Sequence, residues 1–362
     1  MVMRCFWTAL GLAASLTAHA GELLEAQVFD RYSPLAAADE FSRRVFTPTT
    51  HDRLQRFQQA IGQHAVEQTV DLSEERFDIF LPSHKPPGGY GLIVFVSPIP
   101  RWPLTYDWKK VLDREGVIYV SARRSGNQQN VYERRIPLAL HALENIRARY
   151  PIDPEKVVIS GFSGGSRTAM RIAAAYADVF TGALLIGGAK VMGEEDFAPP
   201  PLPIMQALQT RMRVVYSTGK LDMPNRRLDA RSIAALKARC VAGVFKIDEP
   251  DIGHEVPDRR TLERALKRLD QPLEPKLLKA QQPCLNELAE RVATDVSAAE
   301  QAYQQRDPVT AGERLGAADL AWGGLATERL VKLARELAPG FTAAPEDIAK
   351  EPPDEAAGPN PG

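Results

Sequence analysis

The residues best placed to do chemistry lie at Gly161-Phe162-Ser163-Gly164-Gly165, a G-x-S-x-G. The run before it, Val157-Val158-Ile159, is β-branched in the manner of a buried parallel strand. The run after it, Thr168 to Tyr176, is rich in Ala and free of Gly and Pro, as a helix requires. A serine on so tight a strand-to-helix turn is forced into strained backbone. Its neighbouring positions must be glycine because a Cβ there would strike the adjoining strand or helix. The Oγ then projects above the sheet edge at the start of the helix, where free N–H groups and the helix dipole favour developing negative charge. That is a nucleophile's position. The plain alternative is a Gly-Ser loop joining a core strand to a core helix.

A serine hydroxyl is a poor nucleophile until a base takes its proton. In a strand–elbow–helix site of this kind the acid and the base come from later loops, in the order serine, acid, histidine. Of His19, His51, His64, His84, His141 and His254, only His254 follows Ser163. It stands in Gly253-His254-Glu255-Val256-Pro257, between the last strand and a helix, with a surface loop histidine as the alternative. His51 and His64 read as solvated or packing residues. The acid must hold the imidazole through its Nδ1 proton. Asp222 follows the strand Arg213–Ser217 through the turn Thr218-Gly219-Lys220-Leu221, the usual place for it. Asp196, Asp229, Asp248 and Asp251 compete, with Asp229 read as solvated on a helix and the last two as turn residues. An oxyanion hole needs two N–H groups. Gly164 supplies one, and Ile99 is the expected second because Pro98 has none.

The elements that must position these residues are legible in turn. Glu22 to Ala65 is polar and leans to helix. Val66 to Leu72 is the first strand candidate, followed by Arg76 to Leu81, the turn at Lys85 to Gly89, and the apolar run Gly91 to Ser97. A loop through Pro98-Ile99-Pro100-Arg101-Trp102-Pro103 leads to a short helix at Trp108 to Arg114, a strand at Val117 to Ser121, and the polar loop Arg123 to Asn127. Val131 to Tyr150 has helical periodicity, with Pro137 expected to kink or delay it. Beyond the elbow come strands at Gly182 to Ile186, Arg213 to Ser217 and Gly243 to Ile247, and helices at Arg226 to Arg239 and Pro257 to Leu269. Alternation at this pace implies βαβ units and a mostly parallel sheet flanked by helices, an α/β fold. From Pro272 no strand candidate remains. Lys276 to Gln305 and Thr310 to Leu337 read as an antiparallel helical hairpin, and the Pro- and Glu-rich tail as disordered.

Composition sets the frame. The 362 residues are 44% hydrophobic and 25% charged, with a formal net charge of −1, which gives no reason to expect nucleic acid or an anionic membrane as a partner. Arg4, the apolar run Cys5 to Leu16 and Ala18-His19-Ala20 form a Sec-type signal peptide with cleavage near Ala20, too short to span a membrane. The expected organisation is therefore a leader at 1–20, an N-terminal segment at 21–65, an α/β domain at 66–270, a helical extension at 271–340 and a tail at 341–362. An exported chain, periplasmic or extracellular, meets oxidising conditions. Cys240 and Cys284, the two cysteines left after cleavage, are expected to form a disulfide.

The elbow, the Gly219-Lys220-Leu221-Asp222 segment and Gly253-His254-Glu255-Val256-Pro257 resemble the α/β-hydrolase superfamily, and are most similar to secreted esterases of the polyhydroxyalkanoate-depolymerase and feruloyl-esterase type. The resemblance covers residues 66–270. It implies an α/β-hydrolase fold, with Ser163, Asp222 and His254 as nucleophile, acid and base, and a small or polymeric ester as substrate. The sequence departs from that pattern at Ser97-Pro98, where His-Gly commonly stands. Trp102, Trp108, Arg123, Arg124 and Asn127 lie on loops at the catalytic end of the sheet and could line a substrate rim. No H-E-x-x-H, Cys-x-x-Cys, Walker loop or G-x-G-x-x-G after the first strand is present, so neither metal nor cofactor is expected. Two rival readings stand beside the esterase: a non-catalytic exported scaffold that binds a partner or ligand, and a serine peptidase.

Overall fold

The computed structural model describes residues 21–62, 67–249 and 251–338. The leader expected at 1–20 and the tail expected at 341–362 lie outside the described residues, as do Cys5 and His64. Eight described strands form one sheet: β1 (Glu22–Gln27), β2 (Phe77–Leu81), β3 (Tyr90–Val96), β4 (Val117–Ala122), β5 (Ile152–Phe162), β6 (Gly182–Ile186), β7 (Arg213–Gly219) and β8 (Val244–Glu249). Their order is β1-β2-β4-β3-β5-β6-β7-β8. β2 runs antiparallel to both β1 and β4, and the pairs from β4 through β8 are parallel.

The central strands are apolar on both faces because both faces are covered. Leu92, Val94 and Val96 of β3 enter one core cluster while Ile93 and Phe95 enter the other, the twofold alternation of a strand. Val157 and Ile159 of β5 go with the first set and Val158 with the second. Four helices sit along the chain near the site: α3 (Tyr106–Glu115), α4 (Ile136–Arg149), α5 (Gly164–Ala175) and α8 (Arg259–Asp270). α4 and α5 pack in the first cluster, and α3 and α8 in the second. A turn of π-helix, Val131–Arg135, precedes α4 and puts Pro137 in its first turn, where a missing N–H costs nothing. The remaining helices are α1 (Ala38–Val45), α2 (Pro48–Ile61), α6 (Leu202–Thr210), α7 (Met223–Lys237), α9 (Pro275–Lys279), α10 (Gln282–Gln304), α11 (Pro308–Trp322) and α12 (Thr327–Leu337).

Two expectations about elements need correction. Residues 67–72 form turns rather than a strand, and Val70 and Leu72 are buried as a plug over the first core cluster. The edge position is taken instead by β1, from the stretch read as helix-leaning, which pairs Glu22 with Leu81 and Leu24 with Ile79. No residue of β1 is fully buried, so backbone pairing largely holds it and no hydrophobic period marks it. The C-terminal extension has three long helices rather than a hairpin of two. The chain breaks at Gly323-Gly324, where the backbone is pressed against Pro199 and Pro200 and the Gly324 N–H donates to the Pro199 carbonyl at 3.0 Å. Leu288, Val296, Leu315, Trp322 and Leu330 form the core of this bundle, together with Cys240. Cys240 is bonded to Cys284 across a sequence separation of 44. No helix among the described residues is long and apolar enough to cross a membrane.

Candidate active site

β5 ends at Phe162 and α5 begins at Gly164, so Ser163 alone makes the turn. Its backbone sits at φ 55° and ψ −124°, a region costing on the order of 1–3 kcal/mol for a residue with a Cβ. The turn holds because its neighbours are glycines. A Cβ on Gly161 would lie 2.9 Å from the Ser166 nitrogen, and one on Gly165 would lie 2.8 Å from the Val96 carbonyl carbon. The Ser163 N–H donates to the Ile186 carbonyl at 2.8 Å, tying the elbow to β6.

Asp222 and His254 arrive from the loops after β7 and β8. These loops are laced together: the Lys220 N–H donates to Glu249 O at 2.9 Å and the Leu221 N–H to Ile252 O at 3.0 Å. The three side chains then form a continuous chain of hydrogen bonds. His254 Nδ1 lies 2.6 Å from Asp222 Oδ2, and His254 Nε2 lies 2.9 Å from Ser163 Oγ. With the Nδ1 proton donated to the carboxylate, Nε2 is left to accept from the hydroxyl, the tautomer a general base needs. Asp222 and Ser163 are buried while the imidazole is one-third exposed, so the ring meets solvent and the carboxylate does not.

Asn225 is a member of this array that the sequence reading missed. Its Nδ2 donates to both Asp222 oxygens, at 3.1 and 3.0 Å. Its Oδ1 accepts from Arg167 on α5 at 3.3 Å, which fixes the amide's orientation. The 3.2 Å approach of Nδ2 to His254 Nδ1 is a contact, since both nitrogens have protons directed at the carboxylate. Spacing was the available signal, because Asn225 stands three residues beyond Asp222 in the first turn of α7.

The competing acids have other partners. Asp196 accepts from Arg171 at 2.5 Å and from Tyr132 at 2.6 Å. Burial alone would raise its carboxyl, but the Arg171 charge and the Tyr132 hydroxyl hold it well below the usual range. Asp248 pairs with Arg226 at 3.1 Å and Lys246 at 3.0 Å. Asp251 lies in the turn before His254 at φ 64°. Asp229, read as solvated, is in fact 1% exposed. Thr218 Oγ1 donates to its Oδ2 at 2.6 Å, and burial with the nearby Asp222 charge pushes its carboxyl up to about 6.

The oxyanion donors divide. Among the described residues nothing accepts from the Gly164 N–H, which stands at the first position of α5. The Ile99 N–H is not offered in the same way. Ser97 Oγ accepts it at 3.1 Å and donates to Ile99 O at 2.6 Å, so the hydroxyl before Pro98 closes a turn on the donor expected to be free. Of the expected rim, Trp102 and Asn127 come to the site. Trp102 lies with its ring 5.5 Å from that of Phe162, which is 4.7 Å from the His254 ring. Asn127 abuts Gly164. The others turn away. Trp108 is buried and donates to Pro257 O at 3.0 Å, Arg123 pairs with Asp78 at 2.6 Å, and Arg124 reaches Glu75 at 3.3 Å rather than the rim expected of it.

No protein-family model matches the chain, and no curated protein matches it. Among solved structures, it is similar to the S-formylglutathione hydrolase FrmB from Staphylococcus aureus, with 13% identity over 54% of this chain and 93% of that one and a TM-score of 0.42. A ferulic acid esterase aligns at 15% identity over 55% and 92% of the two chains, with a TM-score of 0.42. The acetyl xylan esterase from Aspergillus awamori aligns at 14% over 56% and 98%, with a TM-score of 0.42. The site itself speaks through its own geometry. A serine elbow after β5, an acid after β7 and a histidine after β8, on a sheet of order β1-β2-β4-β3-β5-β6-β7-β8, make this an α/β-hydrolase fold.

Proposed function

We propose that this protein is a serine hydrolase that cleaves carboxylic esters through an acyl-enzyme on Ser163. The observation that carries the reading is the unbroken hydrogen-bond chain Asp222–His254–Ser163 at the end of a parallel sheet. In acylation Ser163 Oγ attacks the ester carbonyl carbon as its proton passes to His254 Nε2. Asp222 stabilises the imidazolium through Nδ1–H, and the Gly164 N–H donates to the new oxyanion. Collapse breaks the ester C–O bond, and His254 returns the proton to the departing alcohol. Water then attacks the acyl carbon with His254 again as base, freeing the acid and Ser163.

The rim supports a substrate with an apolar or aromatic group beside the ester. Ile99, Leu221 and Met223 are exposed around the site, and Phe162 stands against the imidazole with Trp102 packed on Phe162. The Cys240–Cys284 bond supports a working place in an oxidising compartment, consistent with an exported chain.

Labelling with a fluorophosphonate and hydrolysis of p-nitrophenyl esters test the reading. Wild-type protein is expected to label once, at Ser163, and Ser163→Ala to fold and not label. Ser163→Ala and His254→Ala should each lower kcat on the order of 10⁴-fold, and the double variant little further, because the pair acts as a unit. Folded wild-type protein that neither labels nor turns over would leave the non-catalytic scaffold standing instead.

A further inference from the structure

The proposed reaction develops an oxyanion that needs two donors, and with the Ile99 N–H held by Ser97 Oγ only the Gly164 N–H is in place. We propose that the second donor is a side chain, Nδ2 of Asn127, an assignment that rests on the hydrolase reading above.

Three observations carry it. The first is position. The loop after β4 folds under the loop after β3: the Asn127 N–H donates to Pro98 O at 2.9 Å, the Arg124 N–H donates to Pro100 O at 2.7 Å, and a Cβ on Gly126 would lie 2.8 Å from the Ile99 carbonyl carbon. Asn127 is thereby fixed on the β3 side of the elbow, the side from which the second donor has to come. The second is contact. The Asn127 amide fills the place a side chain on Gly164 would occupy: its Oδ1 comes nearest to where that Cβ would stand, with Cγ at 2.7 Å and Nδ2 at 2.8 Å. Gly164 is therefore small for a reason besides backbone strain: it admits a carboxamide directly beside the residue that supplies the first donor. The third is orientation. Arg135 is buried, and its Nη2 lies 3.3 Å from Asn127 Oδ1 and 3.2 Å from Ser97 O, while its Nε donates to Ser125 O at 2.9 Å. A guanidinium only donates, so the amide oxygen must face it and the NH₂ must face away. Among the described residues nothing accepts from that NH₂, and Asn127 is only half-buried. The result is a donor held in advance, beside the nucleophile, with no partner until an oxyanion forms.

Asn127→Asp and Asn127→Ala test the assignment with a p-nitrophenyl ester and an alkyl boronic acid as probes. The Asp variant keeps shape and the Arg135 contact but cannot donate. Both variants are expected to lose about 10²–10³-fold in kcat/KM, as for loss of one oxyanion donor, with the loss in kcat and KM within a few fold. Boronate affinity should fall alongside kcat, because the tetrahedral adduct on Ser163 needs the same donor. In Asn127→Ala, which adds no charge to the site, KM should change by no more than a few fold. A folded Asn127→Asp protein with wild-type kcat/KM overturns the assignment while leaving the hydrolase reading intact. A loss in Asn127→Ala carried by KM and accompanied by a lower melting temperature would also overturn it, in favour of a structural role. Wild-type protein inert to ester and fluorophosphonate would overturn both readings together.

Discussion

Asn225 donates to both oxygens of Asp222 and is itself held by Arg167, so the proposed acid is oriented from the helix that follows the Ser163 turn. Hydrogen bonds to a charged group contribute about 1.5–3 kcal/mol, which corresponds to roughly 10–100-fold in rate if lost only in the transition state. Asn225→Ala should therefore lower kcat/KM by that factor with the melting temperature nearly unchanged, and steady-state kinetics beside a thermal melt check it. Asp229 offers a second reading at this scale, through pH. Its carboxyl is pushed up to about 6, by burial first and then by the Asp222 charge, from an ordinary 3.8. Between those values the folded state holds the proton more tightly than the unfolded chain. The stabilisation is complete below about 4 and is lost as pH rises through 6. At pH 8 the wild type holds a charge in a buried site, set against the Thr218 hydroxyl and the Ala189 N–H. Asp229→Asn should therefore be more stable than wild type at pH 8, by about 2–3 kcal/mol, and little different near pH 4, as denaturant melts at the two pH values will report. Ser163, Asp222 and His254 were legible because each stands in a short local motif. Asn225, Asn127 and the burial of Asp229 were not, because they depend on which loops the fold brings together.

At the scale of elements, the sequence reading found what periodicity and β-branching mark. β3, β6, β7 and the second half of β5 are buried on both faces and carry apolar runs, and Gly182–Ile186 is a strand with the bounds expected of it. The failures share a cause. β1 is held by backbone hydrogen bonds at a sheet edge, where exposed side chains follow no hydrophobic period. Val70 and Leu72 are apolar and buried without strand pairing, an alternation that composition alone cannot separate from a strand. The break between α11 and α12 is set by a distant partner, the backbone of Pro199 and Pro200, against which only glycine fits. The Ile99 donor failed for a local reason: a serine before a proline can close on the next N–H, and here it does.

Across the whole molecule, the C-terminal bundle is joined to the α/β core at several separated places. Asp52 on α2 pairs with Arg335 on α12, Thr49 donates to Asp319 on α11, and Gln281 donates to Gln209 O at 2.9 Å. The Cys240–Cys284 bond adds a covalent tie that closes a loop containing both His254 and α8. Restricting that loop in the unfolded chain should stabilise the fold by about 2–4 kcal/mol. The imidazole, by contrast, is placed by Asp222 and by the Leu221–Ile252 hydrogen bond, neither of which involves the bridge. Cys240→Ser/Cys284→Ser should therefore melt earlier and at lower denaturant, yet keep kcat/KM within about twofold at 25 °C, where the folded state still dominates. An unchanged denaturation midpoint would mean that helix packing alone secures the bundle. Alkylation without reductant, followed by mass measurement of protein from the exported fraction, tests the bridge and the compartment together. Unmodified cysteines with an N-terminus at Gly21 are expected, whereas two alkylated thiols in folded protein, or a chain retained with residues 1–20, would count against export into an oxidising compartment.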